Sequence, residues 1–135
     1  MSTQASTRPT RLYIAGPMTG LPDFNHPAFH AAAAKLRAAG YEVVSPAELD
    51  STHPIADPDG PGAWGRYMRR DIPHLLTCDA LALLPGWTES KGARLEAHNA
   101  QELGMRMWSY EMWLNAAYNR AARTRAPQPT AGATP

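Results

Sequence analysis

Residues 11–20, RLYIAGPMTG, carry the clearest signal for the fold of this chain. Its apolar run from Leu12 to Ala15 ends at Gly16 and Pro17, two residues that break regular structure. A short apolar run that ends in this way is typical of a strand buried on both faces. Such strands belong to parallel sheets that helices cover on each side. This stretch therefore favours an α/β fold.

Strand and helix patterns alternate along the rest of the chain. We predict further strands over 41–44, 79–84 and 105–109, and helices over 27–39, 63–76, 90–103 and 111–122. Residues 50–62, rich in proline, glycine and acids, predict a long surface loop. Pro73 either kinks the second helix or divides it in two. The alternation predicts a three-layer, Rossmann-like or flavodoxin-like α/β fold, a parallel sheet of four to five strands with helices on both faces.

The two ends of the chain differ in composition from its middle. Residues 1–10 are polar, and residues 123–135 combine repeated proline with low hydrophobicity. Neither end buries enough surface to offset the entropy of ordering, so we expect disordered tails over 1–10 and 123–135. A single domain is expected over 11–122. Its ten basic and twelve acidic residues give it a charge of about −2.

The composition argues against several classes of protein. A formal charge of +1 over 135 residues is not that of a dedicated nucleic-acid binder. No apolar run approaches the roughly 20 residues of a membrane-spanning helix, and residues 1–10 lack the apolar centre of a secretory signal. The single cysteine, Cys78, allows no internal disulfide, and the five histidines show no metal-ligand spacing. We expect a cytoplasmic protein that binds no nucleic acid, membrane or metal.

Ligands of parallel α/β sheets bind beyond the carboxyl ends of the strands, near the point where the strand order reverses. Gly16, Pro17 and Met18 follow the first predicted strand, and Trp87 follows the third. We expect these four residues to bind substrate, with Trp87 stacking on a flat base. The alternatives are a simple tight turn after the first strand and a packing role for Trp87.

The start of the third predicted helix suits an anion. The amides of Gly92 and Ala93 and the hydroxyl of Ser90 would form an anion site at the helix N-terminus. Glu96, further along that helix, is either a solvated residue paired with a nearby cation or a nucleophile or base beside the anion. Tyr13, on the first strand, either orients that carboxylate or is an ordinary sheet aromatic.

Asp71 lies in the second predicted helix, beside a basic stripe. Arg66, Arg69 and Arg70 have the spacing of one helix face, which we interpret as a solvated surface. Asp71 is then either a helix cap or surface ion pair, or a member of the site.

Four separated blocks resemble the nucleoside 2-deoxyribosyltransferase superfamily. They are YIAGPM at 13–18, Asp71, CDA at 78–80 and the Ser-x-Gly-x-x-x-Glu block at 90–96. More closely, residues 11–29 and 69–97 resemble the DUF4406 group, a branch of that superfamily found mostly in phages and bacteria. The resemblance covers about residues 11–104 and is specific for the fold.

The resemblance implies N-glycosidic bond chemistry without a cofactor. In the superfamily the glutamate matched by Glu96 attacks the anomeric carbon of a 2-deoxyribosyl group, and a covalent sugar ester forms, as in retaining glycosidases. The aspartate matched by Asp71 assists proton transfer to the base, and the tyrosine matched by Tyr13 positions the glutamate. Ser90 stands where nucleotide-hydrolysing relatives use a serine on a 5′-phosphate and where transferases acting on free nucleosides carry an acid.

We therefore expect a hydrolase or 2-deoxyribosyltransferase-like enzyme that acts on a (deoxy)nucleoside 5′-monophosphate or nucleoside. The alternatives are a nucleotide-binding or sensor module without turnover, of phage or bacterial origin, and a structural homo-oligomer with a vestigial cleft. Trp113 and Tyr118 on the last predicted helix, with the open edge of a four-stranded sheet, predict a homodimer or higher homo-oligomer. The superfamily resemblance implies the same.

Overall fold

The computed structural model describes residues 8–125, without the side chain of Arg125. The strands are β1 (Arg11–Ala15), β2 (Glu42–Val44), β3 (Ala80–Leu83) and β4 (Arg106–Ser109). The helices are α1 (His26–Ala38), α2 (Pro46–Thr52), α3 (Ala63–Leu75), α4 (Lys91–Glu102) and α5 (Tyr110–Arg125). Two short turns, Pro22–Asn25 and Trp87–Glu89, precede α1 and α4.

The four strands form one parallel sheet in the order β2-β1-β3-β4. The chain moves from β1 to one side with β2 and then crosses to the other side with β3. The strand order therefore reverses between β1 and β3, the place where ligands of such sheets bind. The predicted α/β class, parallel pairing and four-stranded sheet are confirmed.

Each face of the sheet carries its own layer of helices, and β1 shows why. Leu12 and Ile14 pack into an apolar cluster with side chains of α1 and α5. Tyr13 and Ala15 alternate with them and pack into a second cluster, with side chains of α3 and α4. Successive side chains of a strand point to opposite faces, so a continuous apolar run serves two cores at once.

Helix α2 is the element that the sequence analysis missed. Ser45 is extended and Pro46 occupies the first turn of the helix, which runs into the first three residues of the predicted 50–62 loop. Proline suits the first turn of a helix, because the amide that it lacks has no intrahelical partner there. Pro46 therefore starts a helix in addition to ending β2, and only the remainder of the segment is a loop.

Helix α3 runs through Pro73 as one helix, so of the two alternatives at that residue the division is excluded. Pro73 lies in the last turn, where losing one amide donor affects a single carbonyl of the helix.

The predicted tails fall mostly outside the described residues, at 1–7 and 126–135. Helix α5 continues past the expected boundary at residue 122 to Arg125. At the other end, Arg8 lies 2.9 Å from Asp79 Oδ1, at the start of β3. Within residues 8–125 there is no helix with the length and apolar character that crossing a membrane requires.

Trp113 is a core residue rather than part of an uncovered face. It is 4% exposed, and its Nε1 donates a hydrogen bond of 2.8 Å to the carbonyl oxygen of Leu81 in the sheet. The hydroxyl of Tyr41 donates in turn to the carbonyl oxygen of Trp113, at 2.7 Å. Of the two aromatics predicted to lie on an open surface of α5, only Tyr118 is exposed, at 72%.

Candidate active site

A cavity of about 340 Å³ opens at the carboxyl edge of the sheet. This volume is at the low end of small-molecule sites, roughly 300–1,000 Å³. The cavity is lined by seven of the residues that the sequence analysis singled out: Gly16, Met18, Asp71, Ser90, Gly92, Ala93 and Glu96. Tyr13, Pro17 and Trp87 do not line it. The Tyr13 side chain nevertheless contacts a residue of the cavity wall, because its hydroxyl donates a hydrogen bond to Glu96.

Glu96 lies on the buried face of α4. The residues at helical spacing around it are Ala93, Ala97 and Ala100, whose small side chains let the helix lie close to the sheet. Glu96 is only 4% exposed, and its Oε2 accepts a hydrogen bond from the hydroxyl of Tyr13. The expected contact between these two side chains is therefore present, and Glu96 is not a solvated surface residue.

Burial raises the pKa of Glu96 from 4.5 to about 8. The hydrogen bond from Tyr13 opposes this rise, the charge of Asp71 adds to it, and Arg70 opposes it. Burial, together with the charge of Glu96, also raises the pKa of Tyr13 well above its usual value, so Tyr13 remains a neutral donor. At neutral pH the ligand-free protein therefore keeps Glu96 mostly protonated.

Asp71 is the second carboxyl group of the cavity. It is 5% exposed, and its Oδ1 accepts a hydrogen bond of 2.8 Å from Nε of the adjacent Arg70. Burial raises the pKa of Asp71, although the hydrogen bond and charge of Arg70 act in the opposite direction. Two carboxyl groups that both hold protons more tightly than usual therefore share one cavity, a common property of catalytic sites.

The basic stripe separates into three environments, so the interpretation of it as one solvated face is wrong. Arg70 is inside the site, with a side chain 9% exposed. Arg66 donates hydrogen bonds to the carbonyl oxygens of Ala56, Asp57 and Pro61, at 2.8, 2.7 and 2.9 Å. Only Arg69 is on an exposed surface.

The contacts of Arg66 hold the loop between α2 and α3 against the cavity. Pro58 and Asp59, from this loop, form part of the cavity wall. The loop is therefore tied to α3 at three carbonyl groups, and it contributes directly to the site.

Aromatic side chains line the cavity, but Trp87 is not one of them. Trp87 is half-buried against the apolar cluster on the α3–α4 side of the sheet. Phe24, Trp64 and Tyr67 line the cavity instead, and Phe24 and Trp64 are 54% and 37% exposed. Flat apolar rings open to a cavity suit a planar ligand. These three rings, and not Trp87, therefore offer the stacking surface in the cavity.

Phe24 is held in this position by an unusual backbone. Asp23, Phe24 and Asn25 all have positive φ, at 52°, 50° and 59°. The Asn25 side chain donates to the carbonyl oxygen of Pro17 at 2.9 Å, which ties the loop back to the end of β1. Left-handed backbone at non-glycine residues costs on the order of 1 kcal/mol or more each and concentrates at ligand-binding segments.

The N-terminus of α4 is capped by Ser90, as the sequence predicts. Its Oγ accepts a hydrogen bond of 3.1 Å from the amide of Ala93, so that amide is already engaged, while the Ser90 O–H keeps its donor for a ligand. Lys91 Nζ lies 4.0 Å from the centre of the Trp64 ring, beside the same helix end. A cation, a hydroxyl and a helix N-terminus thus stand together at the cavity mouth.

The two site glycines have packing roles. A methyl group on Gly92 would lie 3.3 Å from Met68 Sδ and 3.6 Å from Trp64 Nε1, so Gly92 allows α4 to lie against α3. A methyl group on Gly16 would lie 2.7 Å from Leu84 Cβ, closer than carbon atoms can approach. Both glycines shape the cavity through the approach of neighbouring elements.

Three polar residues, Arg70, Asp50 and His26, form a chain of contacts that begins at Asp71. Arg70 Nη2 lies 2.8 Å from Asp50 Oδ1, and His26 Nε2 lies 2.8 Å from Asp50 Oδ2. The sequence analysis placed Asp50 in a surface loop and did not single out His26. The available signal was the N-cap pattern of Ser45 and Pro46, which would have put Asp50 on a helix.

The described residues include no group of three or more His, Cys, Asp or Glu side chains arranged to hold a metal ion.

The stretch of sequence that forms this fold and site identifies the family of the chain. Residues 10–109 match the model of a domain of unknown function, DUF4406, and the chain belongs to that family. This range begins just before β1 and ends with β4, so it contains every candidate site residue. No curated protein gives a significant match.

Proposed function

We propose that this DUF4406 protein cleaves or transfers the N-glycosidic bond of a (deoxy)nucleoside 5′-monophosphate or nucleoside, with Glu96 as the nucleophile. The observation that carries the proposal is the Glu96 carboxyl group, held by Tyr13 at the base of a cavity that Asp71 also lines. The resemblance of the sequence to the nucleoside 2-deoxyribosyltransferase superfamily supports the same assignment.

The proposed reaction has two displacements at the anomeric carbon. An oxygen of ionised Glu96 bonds to C1′ as the bond from C1′ to the base nitrogen breaks, and the base takes a proton from Asp71. The product is a base and a sugar ester of Glu96. Water, or a second base, then attacks C1′, the ester bond breaks, and the proton of the attacking group passes to Asp71.

The chemistry therefore needs one proton shared between the two carboxyl groups, with Glu96 ionised and Asp71 protonated. Burial raises the pKa of both groups, so one proton can be shared between them near neutral pH. The pKa of Glu96 of about 8 favours this proton on Glu96, so in the proposed reaction it passes to Asp71 before Glu96 attacks. We expect base release to pass through an optimum and to fall above about pH 8, where the pair loses its last proton.

The cavity walls support a nucleotide as the ligand class. Phe24, Trp64 and Tyr67 offer flat surfaces to a base. The Ser90 hydroxyl and the start of α4, with Lys91 close by, offer donors and positive charge to a 5′-phosphate.

The test is base release from a panel of deoxynucleoside monophosphates and free nucleosides, followed by chromatography. Glu96→Gln keeps the shape and can still accept from Tyr13, but it lacks the anion, so base release should fall by about 10³-fold or more while binding persists. Glu102→Gln, a matched change at an exposed position of the same helix, should leave the rate unchanged. Full activity in Glu96→Gln would exclude Glu96 as nucleophile.

A nucleotide-binding or sensor module without turnover is the second candidate. The observation that favours it is the pKa of Glu96 of about 8, since a protonated carboxyl group is a hydrogen-bond donor and not a nucleophile. In this case the wild-type protein would bind members of the panel, measured by calorimetry, and would release no base between pH 6 and pH 9.

A further inference from the structure

The guanidinium group of Arg70 contacts two carboxyl groups and two backbone carbonyl oxygens. Besides Asp71 on its own helix, it contacts Asp50 at 2.8 Å and the carbonyl oxygens of His53 and Pro46 at 3.3 and 3.4 Å. These three contacts come from α2 and the residue that follows it. Helix α2 therefore anchors the guanidinium group that holds Asp71.

One guanidinium charge is divided between two carboxyl groups. A lone arginine beside an aspartate stabilises the ionised form and lowers its pKa. Here Asp50 takes part of the charge of Arg70 and adds its own negative charge, which raises the pKa of Asp71. Burial is the larger cause and acts in the same direction, so together they raise the pKa of Asp71 against the opposing effect of its arginine.

The other ionisable groups near Asp71 belong to four elements. Glu96 of α4 and Tyr13 of β1 lie across the cavity, and Tyr67 lies one turn before Asp71 on α3. His74, one turn after it, lowers its pKa, and His53 packs against His74 with ring centres 5.1 Å apart. His26 contacts Asp50 from the start of α1. Asp50 of α2 is the carboxylate in direct ion-pair contact with the arginine that holds Asp71.

We propose that Asp50 is a positioning residue, which acts through Arg70 to keep Asp71 oriented and protonated for transfer to the leaving base. The inference rests on the proposed function, because it assigns the proton of Asp71 a use in that reaction. Asp50 itself touches no reacting atom in this scheme. Its removal therefore changes the rate of the chemical step and not the affinity for the ligand.

The test compares the wild-type protein with Asp50→Asn, Asp50→Glu and the control Glu48→Gln, which removes a carboxylate from the same helix. Glu48 pairs with Arg37 outside the cavity. In Asp50→Asn we expect kcat at the optimum to fall roughly tenfold with KM unchanged, and the acid-side limb of the pH profile to move to lower pH. Asp50→Glu should restore both, and Glu48→Gln should change neither.

A second measurement needs no substrate. Carbon NMR of the side-chain carboxyl groups follows the titration of Asp71 directly, and in Asp50→Asn its midpoint should move to lower pH. An unchanged midpoint would overturn the proposal, as would a loss of binding in place of a loss of rate. If the wild-type protein releases no base but the midpoint moves, the proposed function fails while the link from Asp50 to Asp71 stands.

Folding of each variant is checked by circular dichroism. If Asp50→Asn does not fold, the charge is removed as Asp50→Ser instead. Failure of both variants to fold would overturn the proposal, because Asp50 would then be required for the fold itself.

Discussion

Replacement of Glu96 by glutamine should make the protein more stable at alkaline pH, whatever its function. Glu96 has a pKa of about 8 in the folded protein and about 4.5 in the unfolded chain. Between these two values the folded state binds the proton more tightly, so stability falls as pH rises through this window. Glutamine is uncharged at every pH and keeps an oxygen that accepts from Tyr13, so the variant lacks this loss.

The size of the effect follows from the same two values. Stability changes by at most about 1.4 kcal/mol per pH unit for one proton. Across the window from 4.5 to about 8, the ionised carboxylate costs the wild-type protein about 5 kcal/mol. The wild-type protein and Glu96→Gln should therefore be similarly stable near pH 5, and the variant should be more stable at pH 9.

Urea unfolding followed by tryptophan fluorescence, at intervals from pH 5 to pH 9, measures this difference. Asp79→Asn provides a control without pH dependence. Arg8 and the amide of Arg11 lower the pKa of Asp79 from its usual 3.8, so Asp79 stays ionised from pH 5 to pH 9 and the stability difference between this variant and the wild-type protein should be constant over that range. Parallel curves for wild-type protein and Glu96→Gln between pH 5 and pH 9 would refute the assignment of a buried, proton-holding carboxyl group.

Two further predictions concern packing and assembly. Gly16→Ala places a methyl group 2.7 Å from Leu84 Cβ, so it should lower the free energy of unfolding by roughly 1–3 kcal/mol and lower Tm in calorimetry. Gly20→Ala is not a matched control, since Gly20 has a φ of +83°. Gly65→Ala on α3 serves better, because its methyl group would lie 3.7 Å from Arg69 Nη2, an ordinary contact, and it should not lower Tm. We also propose a homodimer, with Tyr118 and Met112 of α5 exposed at 72% and 50%. Small-angle scattering at micromolar concentration should then give about twice the 14.7 kDa mass of one chain. A measured mass of 14.7 kDa would exclude the dimer.

The sequence predicted the elements whose signals are local. The apolar run of β1 stops at Gly16, and Ser90 caps α4 through a hydrogen bond three residues along the chain. Glu96 lies on the buried face of α4 and accepts a hydrogen bond from Tyr13, the contact that the sequence analysis offered for these two side chains. Helix α2 was not predicted, although Pro46 at its start is a residue that the first turn of a helix accommodates.

The aromatic and basic residues of the site could not be sorted by their spacing. Arg66 and Arg70 lie one turn apart on α3, yet Arg66 binds loop carbonyls and Arg70 pairs with the carboxylates of Asp50 and Asp71. Trp64 and Trp87 both lie close to predicted element ends, yet only Trp64 lines the cavity. Residues of the same type and similar local sequence therefore have different environments, because different loops and helices pack against them.

Local sequence patterns were enough to predict the α/β class, the parallel sheet and the edge of the sheet at which ligands of such folds bind. These features depend on periodicity, capping and chain-breaking residues, whose energies act within a few positions. Tertiary structure alone decided the chemistry of the site. Tyr13 and Glu96 are 83 positions apart, and the pKa of Glu96 rises because distant elements exclude water from it. The charge around a buried carboxyl group is set by the side chains that surround it in space, which local sequence does not specify.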